Sequence, residues 1–242
     1  MHSIKYKNYK EFKLKFKDEL LRSSGKKSIE GFLFRGQADS RWKLRSSFDR
    51  IEQDKSKYDI LIKTFTQVCK KYNYNEELLK SSKKEKNILA AFAQHYGLPT
   101  RLLDWTNSYY FAAFFAYAET IPGTNGECTI WAINQDSILE AKAQGLEFIK
   151  LSTNKFNYRI KNQLGHFTLS KHTEDSINEY ETKIRSIHGI DDLLWRFDIK
   201  YKKNELGQVL SDLNDMGITY SVVYPDLEGY IKESMFRAGI TK

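Results

Sequence analysis

Three segments of the 242-residue chain gather side chains able to do chemistry. The first is Phe34-Arg35-Gly36-Gln37, a charged residue at the end of an apolar run and followed by glycine. A guanidinium placed there sits at a strand end, and its fork can bind two phosphate oxygens at once. Gly36 would let a ligand approach the backbone closely. Gln37 adds a donor and an acceptor. The alternative for Arg35 is an ion pair with a buried carboxylate, because arginine withdrawn from water is nearly always paired.

The second segment, Gln94 to Thr106 (QHYGLPTRLLDWT), is the densest. His95 can move a proton near neutral pH. Tyr96 and Trp105 offer flat faces to a base or a nicotinamide ring. Arg101 could bind phosphate. Asp104 could be a general base, the partner of an arginine, or a helix N-cap, since a long apolar helix follows; Thr106 is open to the same capping role. The third segment, Arg159 to Thr168, reads as a loop entering a strand. Gln163 could orient a ligand through its amide, and Gly165 permits close approach. His166 and Phe167 should point to opposite faces. Taken alone, this third segment reads as structural.

The elements that must position these residues follow from hydrophobic spacing. Tyr9, Phe12, Phe16 and Leu20 predict an amphipathic helix over 8–21 with a lysine-covered outer face. GFLFRGQ (31–37) reads as a strand. Tyr58, Leu61, Phe65, Val68 and Tyr72 predict a helix, and Ile88, Leu89, Phe92 and Tyr96 another, stopped at Gly97–Pro99. YYFAAFFAYAE is a helix with almost no polar face, so it must be buried, its alanines allowing close packing. Strands are expected at 127–133, 148–152, 166–170, 193–199 and 218–224. A helix is expected over 204–215, ended by Gly217, and a last one with Pro225 in its first turn. Helices first and a strand-rich second half predict an α+β fold: a helical N-terminal half packed on a mixed, mostly antiparallel β-sheet.

Composition narrows the classes. The chain has 39 Lys+Arg against 31 Asp+Glu, a formal charge of +8, with 40% hydrophobic residues. That supports a folded core and excludes a disordered chain. The charge suits nucleic acid, nucleotide phosphates or an acidic protein surface, or is a solvated lysine-rich exterior. No apolar run spans a membrane, and no secretory signal is expected. Cys69 and Cys128 fit no disulfide framework or zinc pattern, so a reducing cytosol is expected. Glycine-rich Rossmann and P-loop motifs are absent, and no carboxylate cluster suggests a metal.

Four ordered segments resemble the FRG domain, named for its Phe/Tyr-Arg-Gly motif: Phe34–Gln37, QHYGLPTRLLDWT with its aromatic-alanine helix, Arg159–Phe167, and LNDMGITYSVVYPDLEGY (213–230). The resemblance covers roughly 30–235. It implies an FRG-like domain over 29–242 and a lysine-rich helical extension over 1–28. The name motif is also similar to the first motif of arginine-type ADP-ribosyltransferases, whose sheet is split and whose arginine holds NAD phosphates. That similarity implies NAD as substrate and no metal. Arg35, Gly36, Gln37, Tyr96, Arg101, Trp105 and Phe167 would bind it, and His95, Asp104 and Gln163 would serve catalysis. The sequence departs from that scheme: no Ser-Thr-Ser strand is evident, and Gln163 stands where a catalytic Glu is expected. An uncharged amide supports positive charge at a glycosidic carbon poorly. Either another acid, Asp104 or Glu127, takes the role, or no ADP-ribose is transferred.

The resulting expectation is a bacterial or phage toxin or defence effector that ADP-ribosylates nucleic acid or a nucleic-acid-associated protein, held by a neutralising partner. The alternatives are a non-catalytic nucleotide or nucleic-acid binding module and a metal-independent nuclease using His95 with His166.

Overall fold

The computed structural model describes residues 1–52, 54–74, 79, 86–120, 123–141, 145–149, 165–170, 181–182, 185 and 193–240. Gln163, and residues 150–152 of the strand expected over 148–152, lie outside the described residues.

Alternation of apolar residues builds the centre of a seven-stranded sheet. The strands are β1 (His2–Tyr6), β2 (Phe32–Gln37), β3 (Leu102–Thr106), β4 (Gly126–Asn134), β5 (Leu146–Ile149), β6 (Gly165–Ser170) and β7 (Leu194–Tyr201). Their order is β1-β7-β4-β2-β3-β6-β5. All neighbours are antiparallel except β1 and β7, which run parallel. The α+β expectation therefore holds. The helices among the described residues are α1 (Tyr9–Ser24), α2 (Ser47–Ile51), α3 (Ser56–Lys71), α4 (Lys86–His95), α5 (Tyr109–Ala118), α6 (Gln135–Ala141), α7 (Leu206–Asp215), α8 (Tyr220–Val223) and α9 (Leu227–Arg237).

On one face, Phe32 and Phe34 of β2, Ile130 of β4 and Phe197 of β7 share a core with α1, α5 and α7. Phe16 of α1 meets Phe34 and Phe197 edge to face, at 5.9 and 5.4 Å between ring centroids, the arrangement that ring quadrupoles prefer. The lysine-rich N-terminal helix thus belongs to the same core as the central strands, and β1 pairs along β7 beside it. On the other face, Leu33, Trp131, Ile133 and Leu194 pack with Leu44 and with Ile138 of α6. Strands β2, β4 and β7 are covered on both sides.

Three expectations are corrected. Residues 218–224 carry β-branched side chains but form the short helix α8. Both sheet edges belong to β1 and β5, and Tyr220 is held 5.0 Å from Phe114 of α5, so tertiary packing overrides strand propensity. Helix α9 begins at Leu227 with Asp226 as N-cap, leaving Pro225 ahead of its first turn. Asp104 and Thr106 do not cap α5: they lie in β3, and Ser108 caps the helix, its hydroxyl accepting from the Phe111 amide at 3.4 Å.

Gly36 is required by packing. A Cβ there would lie 1.9 Å from the Ala112 carbonyl oxygen and 2.6 Å from the Ala116 amide nitrogen. Successive turns of α5 therefore rest directly on the β2 backbone, and the alanines of that helix make this possible. On the Cβ side the closely approaching group is a helix. Gly36→Ala should cost about 2–3 kcal/mol, lowering Tm by roughly 5–10 °C; differential scanning calorimetry checks this, and an unchanged Tm would show that α5 can shift away.

Candidate functional site

Strands β2 and β3 pair at one position, Phe34 opposite Thr106. In contrast, β2 pairs with β4 along its whole length, from Phe32–Asn134 to Gln37–Thr129. Past Phe34, β2 and β3 part. A cavity of about 230 Å³ borders this parting, with Arg35 and Gly36 on one side and Asp104 and Thr106 on the other. The end of α4 brings Gln94 and His95 to it, the end of α5 brings Phe115 and Glu119, and Phe167 and Tyr224 complete its aromatic walls.

Arg35 bridges the gap. Its Nη1 donates to the main-chain oxygen of Asp104 at 2.9 Å and lies 2.8 Å from the Asp104 Oδ2. The Arg35 side chain is 14% exposed and that of Asp104 46%, so the pair has a dry end and a wet end. The buried Arg35 Nε has no hydrogen-bond partner among the described residues. A buried donor without an acceptor is unfavourable, so this atom is suited to an incoming oxygen.

Asp104 is set from its other side by a relay. Gln94 Nε2 donates to Asp104 Oδ1 at 3.1 Å. The Thr100 hydroxyl donates to Gln94 Oε1, which fixes the amide's orientation. The Thr100 amide donates to the Ser47 hydroxyl at 3.0 Å, and the Phe48 amide to the Thr100 carbonyl at 3.0 Å. The start of α2 is thereby coupled to the Arg35–Asp104 pair. Burial pushes the Asp104 pKa up, but the Arg35 charge and hydrogen bond, aided by a backbone hydrogen bond and by His95, outweigh it and hold the carboxyl below the ordinary aspartate value. Asp104 is therefore ionised at neutral pH. A poised general base needs a pKa near the working pH, so Asp104 is better suited to holding charge than to moving a proton.

The cavity unites six of the residues expected to bind NAD or serve catalysis: Arg35, Gly36, His95, Asp104, Trp105 and Phe167. Of these, Trp105 serves mainly as structure. Its indole N–H donates to the Thr168 hydroxyl at 2.9 Å, and its ring packs with Leu33, Leu103 and Trp131, so it offers no free face to a ligand. Three others lie elsewhere. Gln37 is buried, accepting from the Trp131 indole at 2.5 Å and donating to the Lys43 carbonyl at 3.4 Å. Arg101 is buried 3.3 Å from the Asp49 carboxylate, where it anchors α2. Tyr96 is 75% exposed and rests against Phe92, off the cavity. Glu127 is also elsewhere, accepting from the Ser40 hydroxyl at 2.8 Å on β4.

Sequence reasoning assigned no role to Gln94, Glu119 or Arg50. Gln94 precedes His95 directly, and Glu119 is the first charge after the apolar helix; both signals were visible. Arg50 lies in a polar stretch whose helix α2 has no hydrophobic period to announce it. Among the described residues, no group of three or more His, Cys, Asp and Glu could hold a metal ion, and no helix is long and apolar enough to cross a membrane.

Residues 30–124 match the family model of the FRG domain. The match runs from just before β2 to just past α5. It includes Arg35, Arg50, Gln94, His95, Asp104 and Glu119, the polar side chains around the parting strands. Within the FRG match, the Phe-Arg-Gly segment places its phenylalanine in the core, its arginine in the cleft and its glycine under α5. Phe167 and Tyr224 lie beyond it. No curated protein and no solved structure matches the chain.

The lowered pKa of Asp104 has a consequence for stability. The ion pair stabilises fully above the ordinary aspartate value of about 3.9 and is lost as pH falls through the lowered folded pKa. Urea unfolding of the parent protein and Asp104→Asn should differ at neutral pH, and the difference should shrink as pH falls below the ordinary aspartate value of about 3.9. A difference that stays constant over that range would show that the pair contributes nothing.

Proposed function

We propose that the cleft binds NAD and transfers its ADP-ribose to nucleic acid or a nucleic-acid-associated protein. One juxtaposition supports this reading: a guanidinium at the end of an aromatic-Arg-Gly strand lines the same aromatic-walled cavity as the carboxylates of Asp104 and Glu119. The cavity, about 230 Å³, is smaller than the roughly 300–1,000 Å³ of drug-sized ligand sites. It suits one end of a dinucleotide rather than the whole.

In this reading Arg35 binds phosphate oxygens through its unpartnered Nε. Glu119 takes the role that Gln163 cannot fill, holding negative charge near the ribose carbon as that carbon becomes positive. The bond between the ribose carbon and the nicotinamide nitrogen breaks, and its electron pair leaves with nicotinamide. A nucleophile of the acceptor bonds to the carbon, and His95 takes its proton. Asp104 positions Arg35. The charge of +8 would draw a polyanionic acceptor, with binding that weakens steeply as salt rises. A toxin or defence role, a neutralising protein partner and a cytosolic location complete the proposal. The last is supported by two free, buried cysteines, which suit a reducing compartment.

A binding module without turnover is the second reading. It is favoured by the exposure of Glu119, since a carboxylate in water stabilises a developing charge weakly. Purified protein incubated with labelled NAD and DNA, RNA or lysate separates the two. The transferase reading expects nicotinamide release and label on one acceptor, with both lowered at least about 100-fold in Arg35→Ala and Glu119→Gln. A rise in Tm with NAD but no product would establish the binding module.

A further inference from the structure

A second cavity, of about 220 Å³, lies against the first and shares Arg35, Gln94 and Asp104 with it. Its new charged residue is Arg50, at the end of α2. Arg50 is exposed and makes no ion pair among the described residues. Among the described residues its side chain makes one hydrogen bond, a long one from Nε to the Ser46 carbonyl at 3.4 Å. Two arginines thus line one small cavity with one carboxylate, leaving an excess positive charge.

The protein holds these cations together at a cost. Partial burial and then the positive charge of Arg35 lower the Arg50 pKa, while Asp104 and Glu119 act in the opposite sense. Asp104 pairs with Arg35 and offsets only part of this positive charge, so an anion entering the cavity would be drawn to the remainder. Arginine is suited to phosphate, because its planar fork meets two oxygens at once. Arg35 presents its unpartnered Nε from the buried end, and Arg50 stands at the wet end.

We propose that Arg35 and Arg50 together form a phosphate subsite for a nucleotide diphosphate, with Asp104 orienting Arg35 and limiting the affinity of the site. The proposal extends the nucleotide reading of the first cavity but does not depend on transfer chemistry. In this subsite Arg50 takes the place that sequence reasoning gave to Arg101, whose guanidinium is committed to Asp49. Asp104 keeps Nη1 of Arg35 occupied, so an incoming phosphate meets Nε of Arg35 and the fork of Arg50 while opposed by a neighbouring negative charge.

The test is calorimetric titration of the full chain at low salt with inorganic pyrophosphate, ADP and adenosine. Pyrophosphate and ADP should bind and adenosine should not. Arg50→Ala should weaken ADP at least tenfold with Tm unchanged, and Arg50→Lys should restore only part of that loss, since an ammonium lacks the fork. Asp104→Asn keeps an oxygen for Gln94 but removes the opposing charge, so it should bind ADP several-fold more tightly. Absence of pyrophosphate binding, undiminished ADP affinity in Arg50→Ala, or weaker binding in Asp104→Asn would each overturn the proposal. A protein that shows the expected ADP pattern yet releases no nicotinamide from NAD retains the subsite and loses the transferase reading. NAD turnover with full ADP affinity in Arg50→Ala has the reverse meaning.

Discussion

The bond from Arg35 to Asp104 crosses a place where two strands of a sheet stop pairing, and the architecture around the cleft depends on it. A parted pair of strands is unfavourable in itself, because backbone donors and acceptors lose ladder partners. Here the guanidinium replaces one such partner by donating to the main-chain oxygen of Asp104, and the carboxylate of the same residue neutralises it. A polar opening can thus persist inside a sheet whose neighbouring strands are covered on both faces. The relay through Gln94 and Thr100 to the start of α2 carries that arrangement outward. The charged groups are consequently placed by elements distant in sequence but adjacent in the sheet.

Much of the fold was legible because it rests on spacing. The helix over Tyr9–Ser24 and the strands β2, β4 and β7 follow directly from apolar periods, and the buried alanine-rich helix from its lack of a polar face. Strands β1 and β3 and helices α2, α6 and α8 escaped, and for β3 and α8 the structure shows the physical reason. Strand β3 is five residues long and owes its conformation to β6, a partner 60 residues later in the chain, which no local pattern reports. The short helix α8 carries strand-forming residues, but Tyr220 docks on Phe114 of α5, a contact that no local pattern reports.

The candidate site was legible as a set of segments rather than as a set of side chains. Residue type correctly marked Arg35, His95, Asp104 and Phe167 as members of one place. It could not distinguish Arg101, which an aspartate of α2 neutralises, from Arg50, which no carboxylate pairs, because the difference lies in tertiary neighbours. It could not tell that Gln37 and Trp105 spend their polar atoms on Trp131 and Thr168. For Gly36 the structure adds a reason that residue type did not give: the backbone of α5 approaches it.

The contact of Gly36 with Ala112 and Ala116 also decides how the cleft can move. The pivot of the neighbouring arginine is clamped between a hydrogen-bonded ladder to β4 and a helix resting on bare backbone. Neither clamp can yield without breaking several bonds at once, so the main chain at this point behaves as a fixed axle. What remains free is rotation about the side-chain bonds of Arg35, a process of picoseconds to nanoseconds where space allows. Exchange of one oxygen partner for another is then a swing of an arm from a stationary shoulder.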